Sequence, residues 1–377
     1  MLKQQSRIRT LERGVINGYR TGVSLHCHTQ HSKEVLDFIP YYASRIPIVA
    51  GRFNKATKDF RQQNGRDIDF TRAYWTPPLS ARKVYDLERE QIENTLDAGA
   101  LISITDHDSI ESGSLLHALE SYKKIPVSVE WTVPFGDAYV HLGVHNLPTE
   151  CSAKIMSELA EFTAHPIEGR LAELLEMLNE LPSVLIVFNH PLWDIELMGQ
   201  ERHMIMIKDF LVQHGRQIHA LEVNGFRASQ ENLGTIKLAK EWGYPVVSGG
   251  DRHGCAANTT LNVTNATSFD EFVSEIRVDK RSEVLLMPQY KENLYLRMFE
   301  AADDILRHYP QHPLGRQYWT ERIFIRHEDG TEQPLKNLWQ NGTPSWIQAP
   351  LAMMRFMGSR RFRPAMRLMF TRQEGVA

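Results

Sequence analysis

His26 and His28 stand one residue apart at the end of a short apolar run, in the sequence Ser24-Leu25-His26-Cys27-His28-Thr29. Alternate side chains of an extended chain share a face, so both imidazoles point one way and Cys27 the other. Two imidazoles fixed side by side on a stiff element make half of a metal site. Acids and imidazoles also close later apolar runs: Asp106-His107-Asp108, Glu130, His141, Asn189-His190-Pro191 and Asp251-Arg252-His253. Each alone has an ordinary explanation as a turn, a helix cap or a surface residue. Together they place acid and imidazole at one edge of one sheet. His165-Pro166 repeats the dipeptide of His190-Pro191 but follows a helix-like run, and is set aside.

Imidazoles and carboxylates with no inward thiolate suit zinc, manganese or iron, and the sequence does not choose among them. Two close divalent ions activate water and neutralise the oxygens of an in-line displacement at phosphorus. Glu130 is the natural bridge between two ions, because it has two oxygens. Asp106 and Asp108 suit the orienting of neighbouring imidazoles by hydrogen bonds. Arg252, between two candidate ligands, and Arg227, in Asn224-Gly225-Phe226-Arg227, are the candidates for gripping a substrate phosphate.

These residues need strands to present them. Residues 80–98 read as a helix with Ser80 as N-cap, Val84, Leu87, Ile92 and Leu96 as an apolar stripe, and Gly99 as the stop. The apolar run 100–104 follows, typical of a buried parallel strand. Similar runs lead to Glu130, His141, Asn189, Asn224 and Gly250, and helix-like stretches lie at 155–164, 168–180, 204–214 and 233–242. The count is roughly seven short strands with interspersed helices, an α/β pattern whose site belongs at the carboxyl ends of the strands.

Two segments fall outside that pattern. Residues 35–79 mix aromatics (Phe38, Tyr41, Tyr42, Phe53, Phe60, Tyr74, Trp75) with bases (Arg45, Arg52, Lys55, Lys58, Arg61, Arg66, Arg72), which fits a substrate lid or a packed subdomain. The tail 282–377 reads as a helix over 291–308, a hairpin at 322–330 and a basic amphipathic end through Arg360 and Phe370.

The chain of 377 residues, 42% hydrophobic, can bury a full core, and a net charge of -3 argues against a globally basic nucleic-acid binder. Three cysteines, Cys27, Cys151 and Cys255, suggest no disulfide framework, and a reducing cytoplasm is the expected compartment. No apolar stretch approaches a signal peptide or a membrane span.

The set His26-x-His28, Thr105-Asp106-His107-Asp108, Glu130, His141, Asn189-His190-Pro191 and Gly250-Asp251-x-His253 resembles the polymerase and histidinol phosphatase (PHP) superfamily, in the same motif order, over residues 23–254. The resemblance implies a distorted seven-stranded (β/α) barrel over residues 1–281, with the 35–79 insertion after its first strand and a C-terminal α+β extension over 282–377. It implies two or three divalent ions: one held by His26, His28, Glu130 and Asp251, a second shared through Glu130 with His141 and His190, and a third using His107 and His253. The family's usual Asp or His past the second histidine is missing from Gln30-His31-Ser32-Lys33-Glu34, so Glu34 or His31 substitutes. Glu130, Asp251, His253 and Asp106 are the expected catalytic residues. The expected reaction is hydrolysis of a small phosphorylated substrate by metal-activated water. The alternatives are a nuclease acting on nucleic acid, suggested by the basic and aromatic insertion, and a catalytically weak metal-binding regulatory module. Oligomeric state is not legible.

Overall fold

The computed structural model describes residues 5–11, 18–36, 39–40, 47–194, 196–339, 342–359 and 361–369; Phe38, Tyr41, Tyr42, Arg45, Arg360 and Phe370 lie outside the described residues. A five-stranded sheet runs in the order β1 (Gln5–Thr10), β12 (Arg281–Leu286), β11 (Thr260–Thr264), β2 (Thr21–Ser24) and β5 (Gly99–Ile102). A second runs β10 (Val246–Gly249), β9 (Ala220–Asn224), β8 (Leu185–Phe188), β7 (Ala138–Leu147) and β6 (Val127–Phe135). A small third sheet has the order β14 (Glu332–Pro334), β13 (Ile323–Arg326), β4 (Ala73–Trp75) and β3 (Glu34–Val35).

Among the described residues the helices are α1 (Pro47–Asn64), α2 (Ala81–Leu96), α3 (Glu111–His117), α4 (Ser152–Ala164), α5 (Arg170–Asn179), α6 (Gln200–His214), α7 (Ser229–Trp242), α8 (Phe269–Arg277) and α9 (Leu294–Leu306), followed by three more in the tail. Their buried faces follow the helical period: α5 buries Leu171, Leu174, Leu175 and Leu178, and α2 buries Val84, Glu88, Ile92 and Leu96. Ser80 occupies the N-cap position of α2 without a side-chain bond, and α2 stops at left-handed Asp97 rather than at Gly99, which opens β5.

The architecture is mixed α/β, and among the described residues none of the three sheets closes into a barrel. Two features differ from an all-parallel ring. First, β6 and β7 form an antiparallel hairpin turning at Gly136-Asp137, with Gly136 at φ 62, and β7 is also antiparallel to β8. Trp131 and Val133 carry the buried pattern past Glu130, so Glu130 sits inside β6 rather than at its end. Second, β11 enters the first sheet antiparallel to β2 and β12.

The two large sheets touch through single-residue parallel bridges, Cys27 to Arg252 and His107 to Glu130. The ladders fail there because the backbone turns: His26, Asp108, His190 and Asp251 take φ of 60, 49, 27 and 50. Left-handed backbone at non-glycine residues is costly and is sustained only where surrounding structure enforces it. Between the sheets, Val23, Leu25, Leu185, Val187, Ala220 and Val247 pack with Phe269, Phe272 and Ile276 of α8 into one apolar cluster. A larger cluster joins β6 to β9 with α4, α5 and α6.

Candidate metal centre

The backbone turn at His26 decides where the first imidazole goes. Ser24, two residues earlier, faces outward and bonds Glu88 of α2 at 2.8 Å. Strict alternation would send His26 after it, whereas the left-handed residue swings the ring to the inner side. His26 and His28 thus converge, at 5.1 Å between ring centroids, for a reason that alternation alone does not supply. Cys27 points away and packs in the apolar cluster containing Val84, Ile92 and Leu96 of α2.

Glu130 lies at the centre, fully buried, and its two oxygens face different nitrogen sets. Oε2 is 2.8 Å from His26 Nε2, 3.2 Å from His28 Nε2 and 3.4 Å from His107 Nε2. Oε1 is 3.1 Å from His190 Nε2, 3.4 Å from His141 Nδ1 and 3.0 Å from Asn189 Nδ2. Asp251 Oδ1 stands 3.5 Å from His28 Nε2, 3.7 Å from His26 Nε2 and 3.6 Å from His253 Nδ1. Glu34 Oε2 is 3.4 Å from His107 Nε2, and its Oε1 is 3.1 Å from His253 Nε2. His253 stacks on His28 at 4.1 Å.

Charge follows from this crowding. Burial alone would raise Glu130, but His26, His107 and His141 override it and hold the carboxyl well below its usual range. Asp251 is likewise held low against its burial, chiefly by Arg227, and Glu34 by His253 and His107. His28 is buried, yet the Asp251 and Glu130 carboxylates close to its Nε2 push it up to about 10. Burial pushes His107 down to about 3. The site is an anion-rich pocket that favours a cation: His28 holds a proton there, and a bound divalent ion would take that proton's place.

The donors fit divalent ions. His28 Nε2, His141 Nδ1 and His253 Nε2 are buried with no aligned hydrogen-bond partner. A buried nitrogen left this way is costly unless something else engages its lone pair. Among the described residues, four groups have ligand atoms close enough to share an ion: His28, Glu34, His107 and His253; His26, His28 and Glu130; His26, His190 and Glu222; and His107, Glu130 and His141. Nitrogen and oxygen donors without thiolate suit zinc, manganese or iron.

Of the residues singled out in the sequence, His26, His28, Glu34, His107, Glu130, His141, His190, Asp251 and His253 come together here. His31 does not: it turns to Glu111, 3.1 Å away. Arg227 reaches the site, with Nη2 2.7 Å from Asp251 Oδ2 and its guanidinium 3.8 Å over the Trp193 ring. Arg252 faces the other way and is buried against Glu88 at 3.1 Å, as alternation from Asp251 requires. Asp106 does not face the imidazoles. It accepts from Thr29 N at 2.5 Å, from Thr29 Oγ1 at 2.9 Å and from Ser112 Oγ, and so pins the backbone just after His28. Asp108, raised to about 6 by burial, accepts from Thr132 N at 2.8 Å.

Several residues of the site had no role in the sequence reading. Glu222, in the middle of β9, lies 2.5 Å from His26 Nδ1 and accepts from His190 N at 2.8 Å. Its signal was a carboxylate inside an otherwise apolar strand. Ser32 Oγ donates to Glu34 at 2.6 Å and accepts from His107 N at 3.0 Å. Trp193 had no signal beyond its closeness to His190.

No family model matches the chain, and no curated protein matches it. Among solved structures it is similar to an amidohydrolase from Chromobacterium violaceum, determined with bound sulfate and no metal, at 16% identity over 47% of this chain and 83% of that one, with TM-score 0.31. It is also similar to a candidate metal-dependent phosphoesterase from Bifidobacterium adolescentis, at 15% identity over 54% of this chain and 92% of that one, with TM-score 0.35. No helix among the described residues is long and apolar enough to cross a membrane.

Proposed function

We propose that this protein is a metal-dependent phosphoesterase of the PHP type, acting on a small phosphorylated substrate. The observation that carries the reading is the split of Glu130, whose Oε2 faces His26, His28 and His107 while Oε1 faces His141 and His190. A fully buried carboxylate with a separate imidazole set on each oxygen is the arrangement a bridging ligand requires. Bound divalent ions would supply Lewis acidity toward the phosphoryl oxygens and a water of lowered pKa.

The chain's own residues account for the rest. His26, His28, Glu130 and Asp251 would hold one ion, Glu130, His141 and His190 a second, and Glu34, His107 and His253 a third. Arg227 would turn one N–H to a phosphoryl oxygen while Asp251 and Trp193 fix its position. Asp106 acts at one remove, by holding Thr29 and hence the loop after His28.

The seven strands β2 and β5 to β10 would form the distorted ring that the family resemblance implies. The bridges Cys27–Arg252 and His107–Glu130 support that ring, because His107–Glu130 joins the edge strands β5 and β6 while Cys27–Arg252 links the end of β2 to the end of edge strand β10. Within the insertion Arg61, Arg66 and Arg72 pair with Asp67, Glu328 and Asp69, which leaves less free charge for the nuclease alternative.

The test is metal content together with turnover of an aryl phosphate by the purified protein and by Glu130→Gln. Loss of both metal and turnover in the variant is expected. A fully active, fully loaded variant would rule out the bridging role. Mononucleotides compared with oligonucleotides then separate a small-substrate enzyme from a nuclease.

A further inference from the structure

Glu34 is carried by a strand of two residues, too short to hold a side chain in place unaided. Its support comes from a distant part of the chain. Glu34 pairs with Trp75 and Val35 with Tyr74; β4 pairs in turn with β13, Trp75 opposite Ile323 and Tyr74 opposite Phe324; and β13 pairs with β14. The sheet that aims Glu34 at His107 and His253 is therefore half built from residues 323–334.

The register brings one carboxylate of the tail to the residue before Glu34. Both oxygens of Glu332 accept from Lys33 Nζ, each at 3.1 Å. Glu332 also accepts from Tyr74 Oη at 2.5 Å and from Arg326 Nη2 at 3.0 Å. Lys33 lies along the Tyr74 ring, 4.9 Å from its centroid. Its ammonium is thus held on the face of the sheet away from Glu34, whose oxygens meet His107 and His253. A lysine next in sequence to a metal-binding carboxylate is a hazard. Released, its ammonium could pair with Glu34 and compete with a divalent ion for the same oxygens.

We propose that Glu332 is a positioning residue of the metal centre, which sequesters Lys33 and so keeps Glu34 open to the ion shared with His107 and His253. The tail is then part of the active site, although it supplies no ligand. The proposal rests on reading Glu34, His107 and His253 as metal ligands.

The test uses the full-length protein, manganese titration and metal content per chain for Glu332→Ala, Lys33→Met, the double variant and His253→Ala. Glu332→Ala is expected to bind its last manganese equivalent about tenfold to a hundredfold more weakly, the range seen when a partner of a metal ligand is removed. Lys33→Met alone should bind as the wild type does, and adding it to Glu332→Ala should restore the lost affinity. That rescue distinguishes sequestration from a structural role, because a sheet merely loosened at Tyr74 and Arg326 would not be repaired by deleting a cation. Unrescued loss, or no loss in Glu332→Ala, overturns the proposal while His253→Ala still loses an equivalent. If His253→Ala also keeps all its metal, the third-ion reading falls, and the proposal with it.

Discussion

Glu222 Oε1 lies 2.5 Å from His26 Nδ1, on the opposite edge of the ring from Glu130. A carboxylate there accepts a hydrogen bond from Nδ1–H and leaves the Nε2 lone pair facing the cluster, so it sets both tautomer and orientation. Its second oxygen accepts from His190 N, which ties β9 to the end of β8 at the site. Glu222→Gln keeps the shape and loses the charge. It should weaken metal binding by about tenfold to a hundredfold and lower kcat in parallel, with little change in melting temperature. Metal titration and steady-state kinetics on one preparation check this, and unchanged affinity would remove Glu222 from the centre.

Glu222 in turn dictates Gly249. A Cβ built at Gly249 would lie 1.4 Å from Glu222 Oε1 and 2.1 Å from its Cδ, so no side chain fits without expelling the carboxylate. Gly249→Ala is expected to cost at least about 1–3 kcal/mol, the range for overpacking a filled interior, and to impair metal binding as Glu222→Gln does. A variant with wild-type melting temperature and full metal content would show that Glu222 has another resting place.

Much of the site could be read in the sequence because strand ends are informative: apolar runs closing in acid or imidazole locate His107, His190 and Asp251 by local pattern alone. Glu130 was legible as a residue and misplaced as an end, since β6 continues to Phe135. The Gly136-Asp137 turn signalling the antiparallel hairpin was present and went unused. Other features were beyond reach. The left-handed turn at His26 is enforced by tertiary contacts, Glu222 reads as any strand acid, and Lys33 meets Glu332 across 299 residues of chain. Such non-local pairing leaves no trace in composition or periodicity.

A histidine outside the metal centre contributes to acid stability. Burial, aided by Arg277 and Lys280, pushes His219 from its ordinary 6.5 down to about 3. Its Nδ1 accepts from Ile186 N at 2.8 Å, so its Nε2, 3.0 Å from Asn179 Oδ1, carries the proton. Between these two values the unfolded chain binds a proton that the folded one refuses. The contribution is complete above 6.5 and is lost as pH falls toward 3, at up to about 1.4 kcal/mol per pH unit. His219→Gln should show a shallower acid limb, measured as the difference in urea midpoints from wild type across that window. Parallel curves would mean that His219 titrates normally in the fold.

The last prediction concerns how a phosphoryl group is held. Arg227 makes a 2.7 Å contact to Asp251 Oδ2, and its guanidinium lies over the Trp193 ring, 3.8 Å from the centroid, while Trp193 stands edge-on to His190 at 5.0 Å. A guanidinium held by a carboxylate on one side and an aromatic face on another is fixed in position by both. Lysine keeps the charge but can neither stack in this way nor present two parallel donors. If Arg227 binds the phosphoryl oxygens, Arg227→Lys should raise KM for an aryl phosphate about tenfold or more, a loss of at least about 1.4 kcal/mol. Metal content should stay unchanged, because Asp251 keeps a cation beside it. Trp193→Leu should show a smaller rise in KM, since it removes the platform and leaves the donors. If Arg227 serves only to neutralise Asp251, lysine should substitute for it. Wild-type KM in Arg227→Lys, with a metal defect in Arg227→Met alone, would assign the arginine to Asp251 and leave phosphate binding to the ions.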